Sequence, residues 1–333
     1  TNNSQLIELD LRNNQLLEID LSQQAALTTL DVTRNNLSQL DVSNMPLLKL
    51  LSANTNQLSY LELSNNTQLE TISVDRNQLT GLEINNQPQL EFLYASDNLI
   101  SQFELVDNLS IEALYLDNNR LETVTIRGNS NLSNIYLVDN RLTQADIAGS
   151  ANSLDLYLSN NLLETINACD NNSIFIFEID NNRLNEIDLS GCNITYRLTL
   201  NNNLLTQLDI SNLNALYEIV VDNNKLTTFN LPASEELKHI EANNNQLTSV
   251  DLSQVQGLTR LKLNENELTS LDISSNTGLW SLYAAGNQLT QVPLGLIDLE
   301  DEYASIDLQI NPFDANAISE LELLQAILPN LVF

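Results

Sequence analysis

Residues 27–37, LTTLDVTRNNL, contain the pattern that decides the fold, LxxLxLxxNxL, and this pattern recurs along the whole chain. Copies begin at residue 6 and then at every twenty-first residue as far as residue 279; examples are IEALYLDNNRL at 111–121 and LTRLKLNENEL at 258–268. A fifteenth, looser copy begins at Tyr303 after an insertion of three residues. A constant period of this length is typical of a solenoid, in which each turn stacks on the turn before it.

The ninth position of the turn is asparagine in all fifteen copies. At the end of a strand the chain turns, and backbone N–H and C=O groups enter the interior without ladder partners. An asparagine amide can satisfy both kinds of group, whereas an aspartate can only accept. We therefore predict an inward-facing structural ladder, formed by Asn14, Asn35, Asn56, Asn77, Asn98, Asn119, Asn140, Asn161, Asn182, Asn203, Asn224, Asn245, Asn266, Asn287 and Asn311.

On these residues the chain resembles the bacterial leucine-rich-repeat (LRR) family, from residue 6 to about residue 313. It is similar to the 21-residue subclass with a nested period, because the second half of each turn reads LxxLDLS, as in LSQLDVS at 37–43 and LTQLDIS at 205–211. The resemblance implies a right-handed solenoid that binds ligands. Some bacterial relatives carry a ubiquitin-ligase domain after the repeats, and no residues beyond Phe333 are present here to form one.

The doubled LxxLxL pattern predicts a strand on each side of every turn, because β-branched residues alternate with polar residues in both halves. We therefore expect one LRR domain over 1–333 with two parallel sheets and low curvature. At about 4.8 Å per stacked strand, fifteen turns make a rod about 70 Å long. Residues 314–333 are expected to form an amphipathic capping helix, with Asp314 as its N-cap and Ile318, Leu321, Leu324 and Ile327 at helical spacing.

The start of the chain has no comparable cap. The sequence begins TNNSQL at the edge of a repeat, which we interpret as a processed or trimmed end. We expect that part of the native chain is missing or that a neighbouring domain covers Leu6 and Leu9, because terminal repeats expose apolar faces.

Charge excludes several classes of partner. With 44 acidic and 13 basic residues the net charge is -31, which repels phosphate backbones and anionic membrane surfaces. No apolar run approaches the roughly 20 residues of a membrane helix. We therefore expect a monomer at the cell surface or outside the cell, with no nucleic acid, no membrane insertion, no cofactor and no metal.

Catalytic chemistry has little support in the sequence. His239 is the only histidine, so a His-based metal cluster is excluded, and its position on the outward face favours a surface histidine over a catalytic one. Cys169 and Cys192 occupy positions 17 and 19 of adjacent turns. Because this lateral offset makes a bridge awkward, we predict free, partly buried thiols rather than a disulfide.

The second half of the turn carries a column of carboxylates at position 15. Its members are Asp20, Asp41, Glu62, Glu83, Glu104, Asp146, Asp188, Asp209, Asp251 and Asp272. A calcium ladder could hold such a column, but calcium rolls use glycine-rich nonapeptides and this chain has only 8 glycines. We favour a solvated negative face.

The first half of the turn carries the candidate binding residues. Position 5 is tyrosine in four consecutive turns, and a basic island follows further along an otherwise acidic chain. The candidate partner-binding residues are Phe92, Tyr94, Tyr115, Tyr136, Tyr157, Arg197, His239, Arg260 and Lys262. Two alternatives stay open: the tyrosines could form a stack that stabilises the sheet, and the basic residues could only neutralise local acid.

Three functions compete at this point. The first is a secreted or surface-displayed bacterial recognition module that binds a protein or a glycan, with adhesion as one form of it. The second is a rigid structural spacer of a larger surface protein, which the regularity of the repeat and the uncapped start favour. The third, an enzyme, is supported by no motif. Ligand identity does not follow from the fold, because unrelated binders share it.

Overall fold

The computed structural model describes residues 3–85 and 87–333. The chain divides into two compact units, Thr1–Ser173 and Ile174–Phe333, and both are built from the same turn. The expectation that residues 1–333 form a single domain stays a prediction.

Each turn contributes one strand at positions 3–5 to a parallel front sheet. In the first unit these strands are Glu8–Asp10, Thr29–Asp31, Leu50–Ser52, Thr71–Ser73, Phe92–Tyr94, Ala113–Tyr115, Asn134–Tyr136 and Ser153–Tyr157. In the second unit they are Ser173–Glu178, Ile194–Thr199, Glu218–Val220, His239–Glu241, Arg260–Lys262, Ser281–Tyr283, Ser305–Asp307 and Leu331–Val332.

The register of the front sheet confirms the period. Thr29 pairs with Leu50, 21 residues later, whereas Ser281 pairs with Ser305 across the three-residue insertion. Side chains alternate, so positions 4 and 6 fill the core; Leu30 and Val32, for example, are fully buried. Burying a leucine stabilises the fold by about 1.5–3 kcal/mol, and the repetition of these rows makes the core. The fold is thus a β-rich solenoid of about fifteen turns, as predicted.

Parallel strands on the back of the turn are fewer than the doubled pattern predicts. In the first unit they are Gln102–Val106, Thr123–Arg127 and Gln144–Ala148, and in the second they are Gln207–Asp209 and Thr228–Asn230. Three further turns contribute only single residues, Asn167, Asp272 and Leu294, to the isolated bridges Asp146↔Asn167 and Asp272↔Leu294.

Most back segments with an LDLS-type sequence do not pair, although Gln207–Asp209, which has the same Asp–Ser hydrogen bond, does pair with Thr228–Asn230. In LSQLDVS the Ser43 N–H donates to the Asp41 carboxylate at 2.9 Å, and the chain then closes a tight turn in which Met45 N–H donates to Val42 O at 3.0 Å. The carboxylate thus occupies an N–H group that a ladder would need. Hydrogen bonds from Ser43 also hold the pKa of Asp41 below its ordinary value. Position 15 therefore has a structural role in these turns.

The asparagine ladder is confirmed. Asn203 Nδ2 donates to Leu200 O of its own turn and to Ile179 O of the preceding turn, both at 3.1 Å, and its Oδ1 accepts from Leu184 N–H at 3.1 Å. The other buried rungs repeat this geometry. Asn14 differs, because it is exposed and its amide donates only to Leu11 O and Arg12 O of its own turn.

Position 8, just before each asparagine, has a left-handed backbone, which sequence reasoning did not foresee. Asn118 has φ 54° there, but Thr55 (φ 56°) and Ile310 (φ 57°) adopt the same conformation. The turn that aims the asparagine inward therefore requires it whatever the side chain. For a β-branched residue the left-handed region is unfavourable by roughly 1–2 kcal/mol.

Both cysteines are disulfide-bonded, so the prediction that Cys169 and Cys192 are free thiols is wrong. That prediction assumed a constant offset of 21 residues between turns. The strands Ser173–Glu178 and Ile194–Thr199 break this rule, because Ile174 pairs with Ile194 whereas Ile176 pairs with Arg197. A lateral offset read from positions 17 and 19 is therefore no guide to distance at this point.

The C-terminal helix is present but shorter than predicted. It covers Ala315–Leu324, and Asp314 caps it by accepting from Asn316 N–H and Ala317 N–H, as expected. Leu321 and Leu324 are buried, whereas Ile318 and Ile327 are exposed. Only two of the four apolar residues predicted to face the core therefore pack against it. The chain ends in the strand Leu331–Val332, which adds to the front sheet beside Ser305–Asp307. Within the described residues, no helix has the length and apolar character needed to cross a membrane.

The ladder predicts an asymmetry between two asparagines. Replacing Asn203 by Leu leaves two carbonyls and one N–H unpartnered in the interior, so we expect a loss of about 1–3 kcal/mol for each lost buried partner. Asn203→Asp should also destabilise, because a carboxylate cannot donate to the two carbonyls. Asn14→Leu is the control and should change stability little. Denaturant unfolding measures all three, and equal stability of Asn203→Leu and the wild type would contradict the assignment.

The left-handed position predicts a stabilising change. Ile310→Asn should raise the free energy of unfolding by on the order of 1 kcal/mol, because asparagine tolerates this conformation and the Ile310 side chain is 79% exposed. The reverse substitution, Asn118→Ile, should lower stability by a similar amount. Thermal melts of the two variants should therefore shift in opposite directions, and shifts of the same sign would show that φ is not the cause.

Candidate interaction surface

Four stacked tyrosines dominate the front of the first unit. Ring centroids are 4.8 Å apart for Tyr94 and Tyr115, 4.7 Å for Tyr115 and Tyr136, and 4.5 Å for Tyr136 and Tyr157, with interplanar angles of 10–12°. Spacing close to that of paired strands brings identical side chains face to face. All four tyrosine side chains are half-buried. Phe92 lies in the same strand as Tyr94, two residues earlier.

The tyrosines thus form the stack that stabilises the sheet. The same stack is also compatible with a role in binding. Stacking holds each ring in one orientation, so a partner would meet a rigid amphipathic strip. No described secondary-structure element packs over this strip.

Acidic side chains at position 7 border the tyrosine stack. The carboxylate of Asp117 accepts from Val138 N–H at 2.8 Å, and that of Asp75 accepts from Ser96 N–H at 2.8 Å. Burial raises the pKa of Asp117 to about 6, against the lowering effect of the Val138 hydrogen bond, and nearby carboxylates raise it further. Burial likewise raises the pKa of Asp75.

Position 7 forms a second hydrogen-bonded ladder in the other unit. The Asp222 N–H donates to Asn201 Oδ1 at 2.7 Å, and the Asn243 N–H donates to Asp222 Oδ1 at 2.6 Å. Sequence analysis missed this ladder, although the frequent Asp and Asn at position 7 was a signal for it. Each such side chain satisfies a backbone N–H of the next turn.

The second unit has its own aromatic stack, at position 2. Phe175 and Tyr196 stack with centroids 4.8 Å apart, Tyr196 and Tyr217 stack at 5.5 Å, and His239 meets Tyr217 edge-on at 5.1 Å. His239 is thus packed rather than free in solvent. Burial and the charge of Arg260 lower its pKa, which favours the neutral imidazole.

The basic island is largely ion-paired. Arg197 lies between Glu178 at 3.2 Å and Glu218 at 3.4 Å, and His239 Nδ1 is 3.8 Å from Glu218. Lys262 lies 2.8 Å from Glu241, whereas Arg260 approaches the same carboxylate only to 3.8 Å. The alternative that these residues neutralise local acid therefore describes Arg197 well and Arg260 less well.

A depression of about 610 Å³ lies on the front of the second unit, around Arg260 and Lys262. Its lining includes Trp280 and Tyr283, and Asp222 and Glu241 lie in it as well. The Arg260 guanidinium carbon is 5.1 Å from the Trp280 ring centroid, a cation–π distance. Of the candidate residues, the structure brings only Arg260 and Lys262 into this depression.

The acidic column at position 15 has local partners. Asp20, Asp41, Asp188, Asp209, Asp251 and Asp272 each accept from the serine two residues later, which lowers the pKa of each carboxyl. Over residues 3–85 and 87–333, no group of three or more His, Cys, Asp or Glu side chains is placed to hold a metal ion.

No family model matches the chain, and no curated protein matches its sequence. Several solved structures share its fold. The functional domain of InlJ from Listeria monocytogenes, described as including a cysteine ladder, is 24% identical with a TM-score of 0.69 over 87% of this chain, and the match spans 65% of the Listeria chain. An LRR protein from Leptospira interrogans is 23% identical with a TM-score of 0.72, over 99% of this chain and 90% of that one.

The leucine-rich effector protein YopM from Yersinia pestis is 25% identical with a TM-score of 0.59, over 93% of this chain and 79% of that one. Together with the 21-residue period, these likenesses show that the chain is a leucine-rich-repeat solenoid with the fold of bacterial LRR proteins.

The raised pKa of Asp117 predicts a pH-dependent stability difference. Its pKa rises from 3.8 to about 6 on folding, so its stabilising contribution is complete below pH 3.8 and is lost as the pH rises through about 6. Asn keeps the acceptor for Val138 N–H without the charge. At pH 7.5, the free energy of unfolding of Asp117→Asn should therefore exceed that of the wild type by on the order of 1 kcal/mol after solvent screening. At pH 4 the variant and the wild type should be equally stable.

Asp41→Asn is the matched control of opposite sign. Because the pKa of Asp41 is lowered by Ser43, its contribution is present above the ordinary pKa and is lost at lower pH. This variant should melt lower than the wild type at pH 7.5. If the Asp117→Asn difference were the same at pH 4 and pH 7.5, the burial of that carboxylate would not be its cause.

Proposed function

We propose that this chain is a non-enzymatic recognition module of a secreted or surface-displayed bacterial protein, which binds a protein or glycan partner through the outward side of its front strands. The observation that carries the proposal is the tyrosine stack of Tyr94, Tyr115, Tyr136 and Tyr157. Contiguous aromatic strips exceed what solubility needs and mark interaction sites.

The physical case rests on preorganisation. Rings that already stack lose little conformational freedom on binding, so more of the contact energy is available for the partner. Aromatic residues also dominate the binding energy of many interfaces. In the second unit, Arg260 and Lys262 line the depression on the front face, so they would contact a partner directly.

The proposed location has independent support. Disulfides form and persist in oxidising environments such as the periplasm, the cell surface and the extracellular space, and both cysteines of this chain are disulfide-bonded. The solved proteins of similar fold include a bacterial effector. The high negative charge suits a soluble module that must not stack on its neighbours.

The absence of a catalytic motif supports a binding role. The only histidine, His239, is packed against Tyr217 and lies near Glu218 and Arg260, and these contacts leave it a structural member of the front face. Neither cysteine is a free thiol that could act as a nucleophile.

The test is a pair of substitutions in the stack. The labelled intact chain is applied to arrays of extracellular proteins and of glycans, and binding kinetics are measured for each partner found. Tyr115→Ala with Tyr136→Ala should speed dissociation tenfold or more, since each lost hot spot contributes about 1–2 kcal/mol or above. Thermal melts report whether the sheet survives.

Two controls separate binding from folding. Tyr60→Ala removes an exposed tyrosine from the back of the turn, where its hydroxyl donates to Glu62 at 2.5 Å, and should leave binding unchanged. Tyr115→Phe keeps the stack and should retain its stability. Binding that survives the tyrosine changes but is lost on altering Asp188, Asp209 and Asp251 would place the partner on the back. The absence of any partner on either array would favour the rigid spacer.

A further inference from the structure

The depression around Trp280 differs from the rest of the front face in its balance of hydrogen-bonding groups. Most of its acceptor groups are occupied. Asp222 Oδ1 accepts from the Asn243 N–H at 2.6 Å and its Oδ2 from Asn243 Nδ2 at 3.2 Å, while Glu241 lies against Lys262 at 2.8 Å. The amide oxygen of Asn264, also in the lining, accepts from Ala285 N–H at 2.8 Å.

Three donor groups of the depression, in contrast, are uncommitted. Within the described part of the chain, the Arg260 guanidinium, Trp280 Nε1 and Asn264 Nδ2 donate to no protein atom. Arg260 is held only by an ion pair at 3.8 Å, which exceeds hydrogen-bond length, and by its contact with the Trp280 ring. Arg260 can therefore turn towards a ligand without breaking a hydrogen bond.

Arg197, on the same face, is surrounded more closely by carboxylates, although its Nε forms no hydrogen bond. It lies between two carboxylates, Glu178 at 3.2 Å and Glu218 at 3.4 Å. Arg260 has one distant carboxylate and an aromatic ring that is 42% exposed. Arg260 is therefore held less tightly by carboxylates than Arg197 is.

On the basis of the proposed recognition function, we propose that this depression seats the carboxylate of an Asp or Glu side chain of a protein partner, with Arg260 as its main ligand. A guanidinium binds a carboxylate through two parallel N–H···O bonds. Lys262 and Asn264 supply further donors, and Trp280 and Tyr283 receive the apolar residues beside the acidic one. Trp, Tyr and Arg together are the residue types most enriched in protein–protein hot spots, which favours a peptide segment over a sugar.

The overall charge of -31 does not prevent this contact. The two carboxylates and two cations of the lining cancel formally, and exposed charges farther away than about 8 Å are screened at physiological ionic strength. An incoming carboxylate therefore responds chiefly to the nearest group without a close partner, which is Arg260.

Trp280 is the only tryptophan of the chain, so its fluorescence reports on this depression alone. The intact chain is titrated with two pools of blocked pentapeptides, one with a fixed central Glu and the other with a fixed central Gln. We expect saturable changes in Trp280 emission with the Glu pool, at least tenfold weaker binding of the Gln pool, and weakening of the Glu response in high salt.

Variants test the assignment residue by residue. Arg260→Gln should weaken the Glu pool at least tenfold and remove its preference over the Gln pool, and Lys262→Gln should have a smaller effect. Arg197→Gln, the matched control, should bind as the wild type does. Because Arg260→Gln alters the surroundings of the fluorophore, its affinity is measured by titration calorimetry, with thermal melts to confirm folding.

Three results would overturn the proposal: no saturable response to either pool, equal affinity for both, or wild-type binding by Arg260→Gln. Binding of an oligogalacturonate without binding of either pool would also overturn it, in favour of an acidic glycan. The variant with Tyr115→Ala and Tyr136→Ala should titrate normally. If the pools fail while an array partner still depends on those tyrosines, the pocket is wrong and the recognition function stands.

Discussion

The inward asparagine amide is the interaction on which the rest of the molecule depends. At the buried strand ends it donates to carbonyls of two successive turns and accepts an N–H of the earlier one, as Asn203 does. It thereby links neighbouring turns where the sheet hydrogen bonds stop. The left-handed residue before it is the geometric condition for this role, which is why even Ile310 and Thr55 adopt that conformation. The constant period of the sequence follows from the need to place this amide at the same point in every turn.

A constant period of 21 residues places side chains of the same position next to one another in successive turns. This favours some side chains and disfavours others. Aromatic rings gain from this arrangement, so Tyr94 to Tyr157 form a continuous stack. Like charges repel one another in such a column, and the structure reduces this repulsion in two ways. At position 3, Glu218 lies in register between Arg197 and His239, so its carboxylate has no like charge beside it in the column. On the back, each LDLS-type aspartate instead accepts from its own serine, which lowers the pKa of the carboxyl and keeps it ionised.

The sequence predicts those features that repeat in every turn. The solenoid, the front sheet, the asparagine ladder and the Asp314 cap all follow from spacing and residue type. The features it predicts poorly depend on departures from the period. The disulfide of Cys169 and Cys192 was missed because the register shifts between Ile174 and Ile176. The back strands were overpredicted because most LDLS-type segments form a local Asp–Ser hydrogen bond and a tight turn instead of a ladder, with Gln207–Asp209 as an exception. The carboxylates that pair with Arg197 lie in the neighbouring turns. Their contacts follow from the register of the strands, which the sequence alone does not give.

Structural and functional charges on this surface can be told apart by how fully each is satisfied. Arg197 has two carboxylates within 3.4 Å, so drawing it towards a partner would leave two buried or half-buried acids without their cation. Arg260 has one carboxylate at 3.8 Å that Lys262 already neutralises at 2.8 Å. If Arg260 moves towards a partner, Glu241 therefore still has Lys262 as its cation. Until then, the contact with Trp280 keeps the guanidinium oriented. The same reasoning applies to the tyrosines, whose ring faces are taken up by stacking on one another. In a repeat protein, the position within the repeat does not by itself distinguish one turn from another. How fully the charged and polar side chains of a turn are paired within the protein separates turns that hold the fold from turns that can bind a partner.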